Sequence, residues 1–269
     1  MEEDEGRYRL HVVVLPWLAF GHLLPFLELS KALARLGHRV SFVSTPRNLQ
    51  RLPKIPPPLS PLITFVGLPF PAGLDLPHGA EATSDIPPEK NGQLKAASDA
   101  LEAPFAAFLD AAASPSPDWV IHDFNAHWMP RVAAPRLLPC ALFSVVPPSS
   151  MAFLGPPSEL LRGGTGDGFW KEPEDLTSPP PWMATSTTTN TAVVAYRPHE
   201  ARFFFLAFRP DASGISAHRC GSTVQSAHLV IVRSCREVDG HWLRLLGELY
   251  DKPVVPTGFL PPPVVQGER

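Results

Sequence analysis

Residues 11–15 (HVVVL) form a short, unbroken apolar run rich in valine, and the segments after it leave few architectures open. Such a run suits a strand buried on both faces. Residues 23–36 then place Phe26, Leu29, Leu33 and Leu36 at helical spacing. This reading puts Pro25 in the first helical turn, where a missing N–H costs nothing, and Gly37 just past the last periodic residue as a C-terminal cap. Residues 39–44 (RVSFVS) resume as a strand. A strand–helix–strand unit of this length joins parallel strands by a crossover, right-handed in nearly every case. The chain therefore opens as a Rossmann-like, doubly wound parallel α/β sheet.

The alternation continues. Residues 62–66, 119–124, 141–146, 229–234 and 254–257 read as further strands. Helices are predicted over 93–112, near 126–137 and over 240–250, where Leu243, Leu246 and Leu249 form an apolar stripe. One domain is expected over 11–257. An acidic, disordered N-terminus over 1–10 precedes it, and the tail over 258–269 reads as a linker toward something these residues do not contain.

Proline is the compositional outlier, at 34 residues. Its clusters at 53–61, 69–88, 147–157 and 173–181 are read as long loops of the functional or mobile kind. The polar stretch 185–191 (TSTTTNT) reads as a flexible surface loop. The glycine-rich segment 162–168 follows no strand and does not fit G-x-G-x-x-G, so it is also read as a flexible loop.

The remaining composition serves to exclude. A net charge of −3 without a basic patch argues against nucleic acid and acidic lipid as partners. No apolar run approaches the roughly 18–20 residues of a membrane span. The acidic start is the opposite of a signal peptide, so a cytoplasmic location is expected. Cys140, Cys220 and Cys235 form no C-x-x-C pair. His218, Cys220 and His228 lack ligand spacing and a fourth partner, so no metal site is expected.

The segment 16–22 (PWLAFGH) lies between the first strand and the first helix, facing the crevice where open α/β sheets bind ligands. Gly21 permits a tight backbone, and His22 stands at or just before the helix N-terminus. The helix dipole there disfavours an imidazolium and favours a neutral ring able to act as a base. Asp123 ends another strand at the same sheet edge. By accepting an N–H from His22 it would set the tautomer and balance the imidazolium formed on proton transfer. Pattern alone leaves other roles open: such a histidine also serves as a turn or cap residue, and such an aspartate often caps the next helix.

The same residues carry a family resemblance. Residues 11–31 (HVVVLPWLAFGHLLPFLELSK) resemble the opening of plant family-1 UDP-glycosyltransferases, as do 44–48 (STPRN), 232–237 (VRSCRE), 252–256 (KPVVP) and 258–262 (GFLPP). Residues 17–20, Asp123 and Phe124 with 128–130 (WMP), and 213–216 (SGIS) resemble the branch-forming subgroup, which adds a sugar to a sugar and includes saponin and flavonoid glycoside rhamnosyltransferases. The resemblance implies the N-terminal, acceptor-binding domain of a two-domain GT-B enzyme. It maps the catalytic pair onto His22 and Asp123, with Phe20, Gly21 and Ser144 as acceptor- or donor-sugar-binding residues. Ser144 reads equally well as a strand-end hydroxyl bonded to local backbone. The implied partners are a UDP-sugar co-substrate and a small-molecule acceptor such as a terpenoid or flavonoid glycoside, with no cofactor and no metal.

Two features depart from the family pattern. The long signature that grips the nucleotide sugar has no counterpart here, so the 269-residue polypeptide is expected to be inactive alone. Pro135 within 131–139 is expected to break a helix. The aromatic run 202–210 (RFFFLAFRP) is read as core packing, with an acceptor pocket as the alternative. A nicotinamide-dependent oxidoreductase with the same alternation would need the glycine fingerprint that the chain lacks.

Overall fold

The computed structural model describes residues 9–112, 116–184 and 194–261. The first half runs β1 (His11–Leu15), α1 (Phe20–Arg35), β2 (Arg39–Ser44), α2 (Pro46–Arg51), β3 (Ile63–Gly67), α3 (Asn91–Asp99), α4 (Glu102–Ala111), β4 (Trp119–His122), α5 (Met129–Ala133) and β5 (Cys140–Ser144). The second half runs α6 (Pro148–Leu154), α7 (Pro157–Arg162), α8 (Pro181–Ala184), α9 (Pro198–Phe204), the short pair β6 (Pro210–Asp211) and β7 (Gly214–Ile215), α10 (Ser216–Ser226), β8 (Leu229–Val232), α11 (Arg236–Tyr250) and β9 (Val254–Pro256).

Seven strands form one sheet in the order β3-β2-β1-β4-β5-β8-β9. Every pairing within it is parallel. The chain winds outward from β1 through β2 to β3, then returns to β4 on the other side of β1. That return makes β1/β4 the switch point, where open sheets of this kind leave a crevice at the carboxyl ends of the strands. In register, Leu15 stands opposite His122, so residues 16 and 123 leave the sheet side by side.

The period-2 alternation of each strand divides the core. Val12 and Val14 pack with Leu23, Phe26 and Leu27 of α1. Val13 and Leu15 pack on the opposite face with Phe105, Trp128 and Met129. Further clusters lie under α11, where Leu243 and Leu246 of the predicted stripe are buried, and around Phe153, Trp170 and Phe208. Burial pushes the Cys140 and Cys220 thiols up to about 12, so both stay protonated as packing groups.

Several sequence expectations need correction. Helix α1 begins at Phe20 rather than Leu23. Pro25 therefore lies in its second turn, where it leaves the Gly21 carbonyl without an intrahelical donor. The helix predicted over 93–112 is two helices, α3 and α4. Pro104 offers no N–H to the Ala100 carbonyl, and the break falls at residues 100–101. The fourth strand stops at His122, not Phe124, because the Asp123 side chain takes over backbone donors. The cluster 147–157 is not simply a loop. Pro148 occupies the first position of α6, where its fixed φ suits a helix start. Helix α11 starts four residues before Gly240, with non-helical backbone at Asp239.

The expectation at Pro135 stands. Pro135 ends α5, and the chain tightens to a 3₁₀ turn before Leu137 at φ 52°. The aromatic run is divided: Phe205 and Phe208 are buried, while Phe203 and Phe204 face outward. The start of the tail is held rather than loose, since Gly258 N–H donates to the Ser234 carbonyl and Arg233 Nε to the Phe259 carbonyl. The expectations for 185–191, for most of the N-terminus and for the rest of the tail lie outside the described residues.

Gly37 closes α1 as predicted. At φ 89° it lets its own N–H reach the Ala34 carbonyl while the His38 N–H reaches Leu33, the double bond of a Schellman cap. An added Cβ would meet no neighbour within 4 Å, so only backbone strain opposes substitution. Gly37→Ala should cost about 1 kcal/mol in urea denaturation.

Candidate active site

The β1–α1 loop and the residues after β4 meet at the switch point. His22 Nδ1 lies 2.7 Å from Asp123 Oδ2. A carboxylate only accepts, so Nδ1 carries the proton and Nε2 is left as the basic nitrogen. The Asp123 carboxylate is fixed by two more donors, the Trp17 N–H at 3.0 Å on Oδ2 and the Phe124 N–H at 2.8 Å on Oδ1. The Asp123 N–H in turn donates to the Leu15 carbonyl, so the two strand ends are laced together. The His22 side chain is 19% exposed and that of Asp123 only 4%. The carboxylate is therefore a buried anchor, and the imidazole sits at the surface of the crevice.

The electrostatics correct one expectation. Burial pushes the His22 pKa down, but the Asp123 charge and its hydrogen bond outweigh that, and the net shift is upward from 6.5. Against burial, the neighbouring carboxylate sets the direction of the shift, toward the imidazolium rather than the neutral ring expected from the helix end. In sign, the bonded imidazolium stabilises the fold fully below pH 6.5, and this contribution is lost as pH rises through the raised value. Asp123→Asn removes the upward contributions and leaves burial. The NMR titration midpoint of the His22 ring should then move from above 6.5 to below it.

The walls come from apolar packing. Trp17, Leu18 and Leu94 are buried together, with Phe70, Leu76, Ile86 and Phe124 against them. The Phe124 ring is 5.8 Å from the His22 ring and 6.1 Å from Trp17. The proline-rich segment 69–88 is thus a tethered wall. Arg47 N–H and Asn48 Nδ2 of α2 bond Glu81, Arg51 grips both oxygens of Asp85, and Thr83 N–H reaches the Leu18 carbonyl.

The other predicted residues fall in different places. Gly21 adjoins His22, and an added Cβ there would meet nothing within 4 Å, so the space beside it is open to an outside group. Phe20 packs beneath the Arg51 guanidinium, 4.5 Å from its ring centroid. Ser144 ends β5 at the same sheet edge, and its hydroxyl exchanges bonds with the Val146 backbone. His122 is buried, its ring nitrogen bonded to the Asp123 carbonyl, and burial pushes its pKa down. Sequence reasoning missed the backbone donors of Trp17 and Phe124 and the wall built by Leu94 and segment 69–88. The two donors lay inside quoted motifs, but backbone contacts leave no residue signature.

No metal-ligating cluster of histidine, cysteine and acidic residues occurs among the described residues. None of their helices is long and apolar enough to cross a membrane.

A seven-stranded parallel sheet of this order, with a crevice at its switch point, is a doubly wound α/β domain, the fold of the N-terminal half of GT-B proteins. No family model matches the chain. UDP-glycosyltransferase 91C1 of Arabidopsis thaliana is 42% identical over 96% of the chain and 54% of its own length. Soyasaponin III rhamnosyltransferase of Glycine max is 36% identical over 94% of the chain and 51% of its own length. The crystal structure of Arabidopsis thaliana UGT89C1 complexed with UDP-L-rhamnose superposes with a TM-score of 0.63 at 18% identity, over 95% of this chain and 53% of that one. Plant UDP-glycosyltransferases thus match this chain over nearly its whole length, along the N-terminal half of their own. The chain spans about half the length of the curated relatives it matches.

Proposed function

We propose that these residues form the acceptor-binding half of a UDP-sugar-dependent glycosyltransferase and carry its catalytic base. The observation that carries this reading is the 2.7 Å pair of His22 and Asp123 at the switch point of the sheet. His22 Nε2 takes the proton of an acceptor hydroxyl. The acceptor oxygen then forms a bond to the anomeric carbon of the UDP-sugar as the bond to UDP breaks, and attack opposite the leaving group inverts that centre. Asp123 balances the imidazolium, and a buried carboxylate held by three protein donors needs little reorganisation to do so.

The acceptor in this reading is a small-molecule glycoside such as a terpenoid or flavonoid glycoside. The motifs shared with the sugar-to-sugar subgroup and the similarity to a soyasaponin rhamnosyltransferase support it. The open space beside Gly21 and the aromatic wall of Trp17 and Phe124 suit an apolar aglycone with hydroxyl groups. Groups that hold the UDP-sugar are assigned to the half of the relatives' length that has no counterpart in these residues. Isothermal calorimetry on the 269-residue polypeptide tests this division. Heat of binding is expected with a flavonoid or terpenoid glycoside and none with a UDP-sugar. A response only to the UDP-sugar would refute the assignment.

A further inference from the structure

Beside Asp123 lies a small cavity of about 10 Å³, lined by Ser44, Ser98, Asp123, Asn125 and Trp128 among others. Ser44, Asn125 and Trp128 are each at most 1% exposed. Ser44 Oγ, both amide atoms of Asn125 and Trp128 Nε1 find no hydrogen-bond partner within the protein among the described residues. Folded proteins leave few buried polar atoms unpaired, and here four of them belong to residues around one small space. Its volume is about that of a single water probe, and a buried water usually makes about three bonds. The Asp123 carboxylate takes three protein donors, whereas a carboxylate has about four acceptor sites. One site remains for a donor from the cavity.

We propose that this cavity binds one buried water molecule that fixes the Asp123 carboxylate. The water accepts the Trp128 indole N–H and a second proton from Asn125 Nδ2 or Ser44 Oγ. It donates to Asn125 Oδ1 and to Asp123. Asn125 and Trp128 are then positioning residues for Asp123 and, through it, for the His22 ring. Only the catalytic consequence rests on the function proposed above; the water site stands without it.

The test uses the ¹⁵N-labelled chain. The Trp128 indole proton, assigned by its disappearance in Trp128→Phe, should show a rotating-frame Overhauser cross-peak to a long-lived water. Absence of that peak overturns the proposal. Asn125→Leu supplies a second reading, because it replaces both amide atoms by apolar volume. If water satisfies the amide, the variant strands that water and the thermal midpoint falls. If the amide is unsatisfied, its removal raises the midpoint, which also overturns the proposal. The His22 Nδ1–H resonance should shift in Asn125→Leu; an unmoved resonance removes the positioning role. None of these measurements involves an acceptor or a UDP-sugar, so their outcome is separate from that of the transferase reading.

Discussion

Replacing His22 by alanine, in an enzyme that joins this chain to a donor-binding half, is expected to lower kcat/KM by about 10²–10⁴-fold, the usual contribution of a positioned general base. The loss should fall on kcat. The 2.7 Å bond from Nδ1 to Asp123 leaves Nε2 to act on the acceptor proton, and that contact matters most as the proton moves. The fold should survive, because His22 lies at the crevice surface and its removal leaves Asp123 two backbone donors. Single-turnover kinetics of the variant against the parent would check this. Near-normal turnover would show that the pair is structural only.

The largest effect on stability is expected at Arg219 of α10. Its guanidinium bonds both oxygens of Asp99 on α3, each at 2.6 Å, and also reaches the Ser213 carbonyl. Its side chain is 5% exposed and that of Asp99 29%. Arg219→Met would leave the Asp99 carboxylate and the Ser213 carbonyl, both part-buried, without the guanidinium. Removal of one partner from a buried pair costs about 3–5 kcal/mol. Because Asp99 is partly hydrated, a value near the low end, about 3 kcal/mol, is expected from urea denaturation. Adding Asp99→Asn should recover part of the loss, giving a measurable coupling. A loss below about 1 kcal/mol would mean that solvent screens the pair. The link reaches the site, since Leu94 of the same α3 packs against Trp17 and Leu18.

The sheet was legible because buried parallel strands write themselves as short apolar runs. The runs at 11–15 and 39–44 became strands with those bounds. The helices were less so where proline decided. Pro104 splits one predicted helix and Pro148 starts an unpredicted one, because the same residue breaks a helix in its interior and suits its first position. His22 and Asp123 were legible as candidates from their places after two buried strands. Pattern could not choose between a bonded pair and two separate caps, because that choice depends on which strands become neighbours.

By itself, then, the sequence determined the α/β class, the strand and loop that carry His22, and the strand whose carboxyl end leads to Asp123. These follow from local periodicity and turn chemistry, which act over a few residues. Tertiary structure alone decided that β4 lies beside β1, placing side chains 101 positions apart within 2.7 Å. It also decided that the Asp123 charge outweighs burial in setting the direction of the His22 pKa shift. The cavity around Ser44, Asn125 and Trp128 belongs to the same category. Burial, charge proximity and cavity volume are sums over groups distant in the chain, so they exist only once the strands have paired.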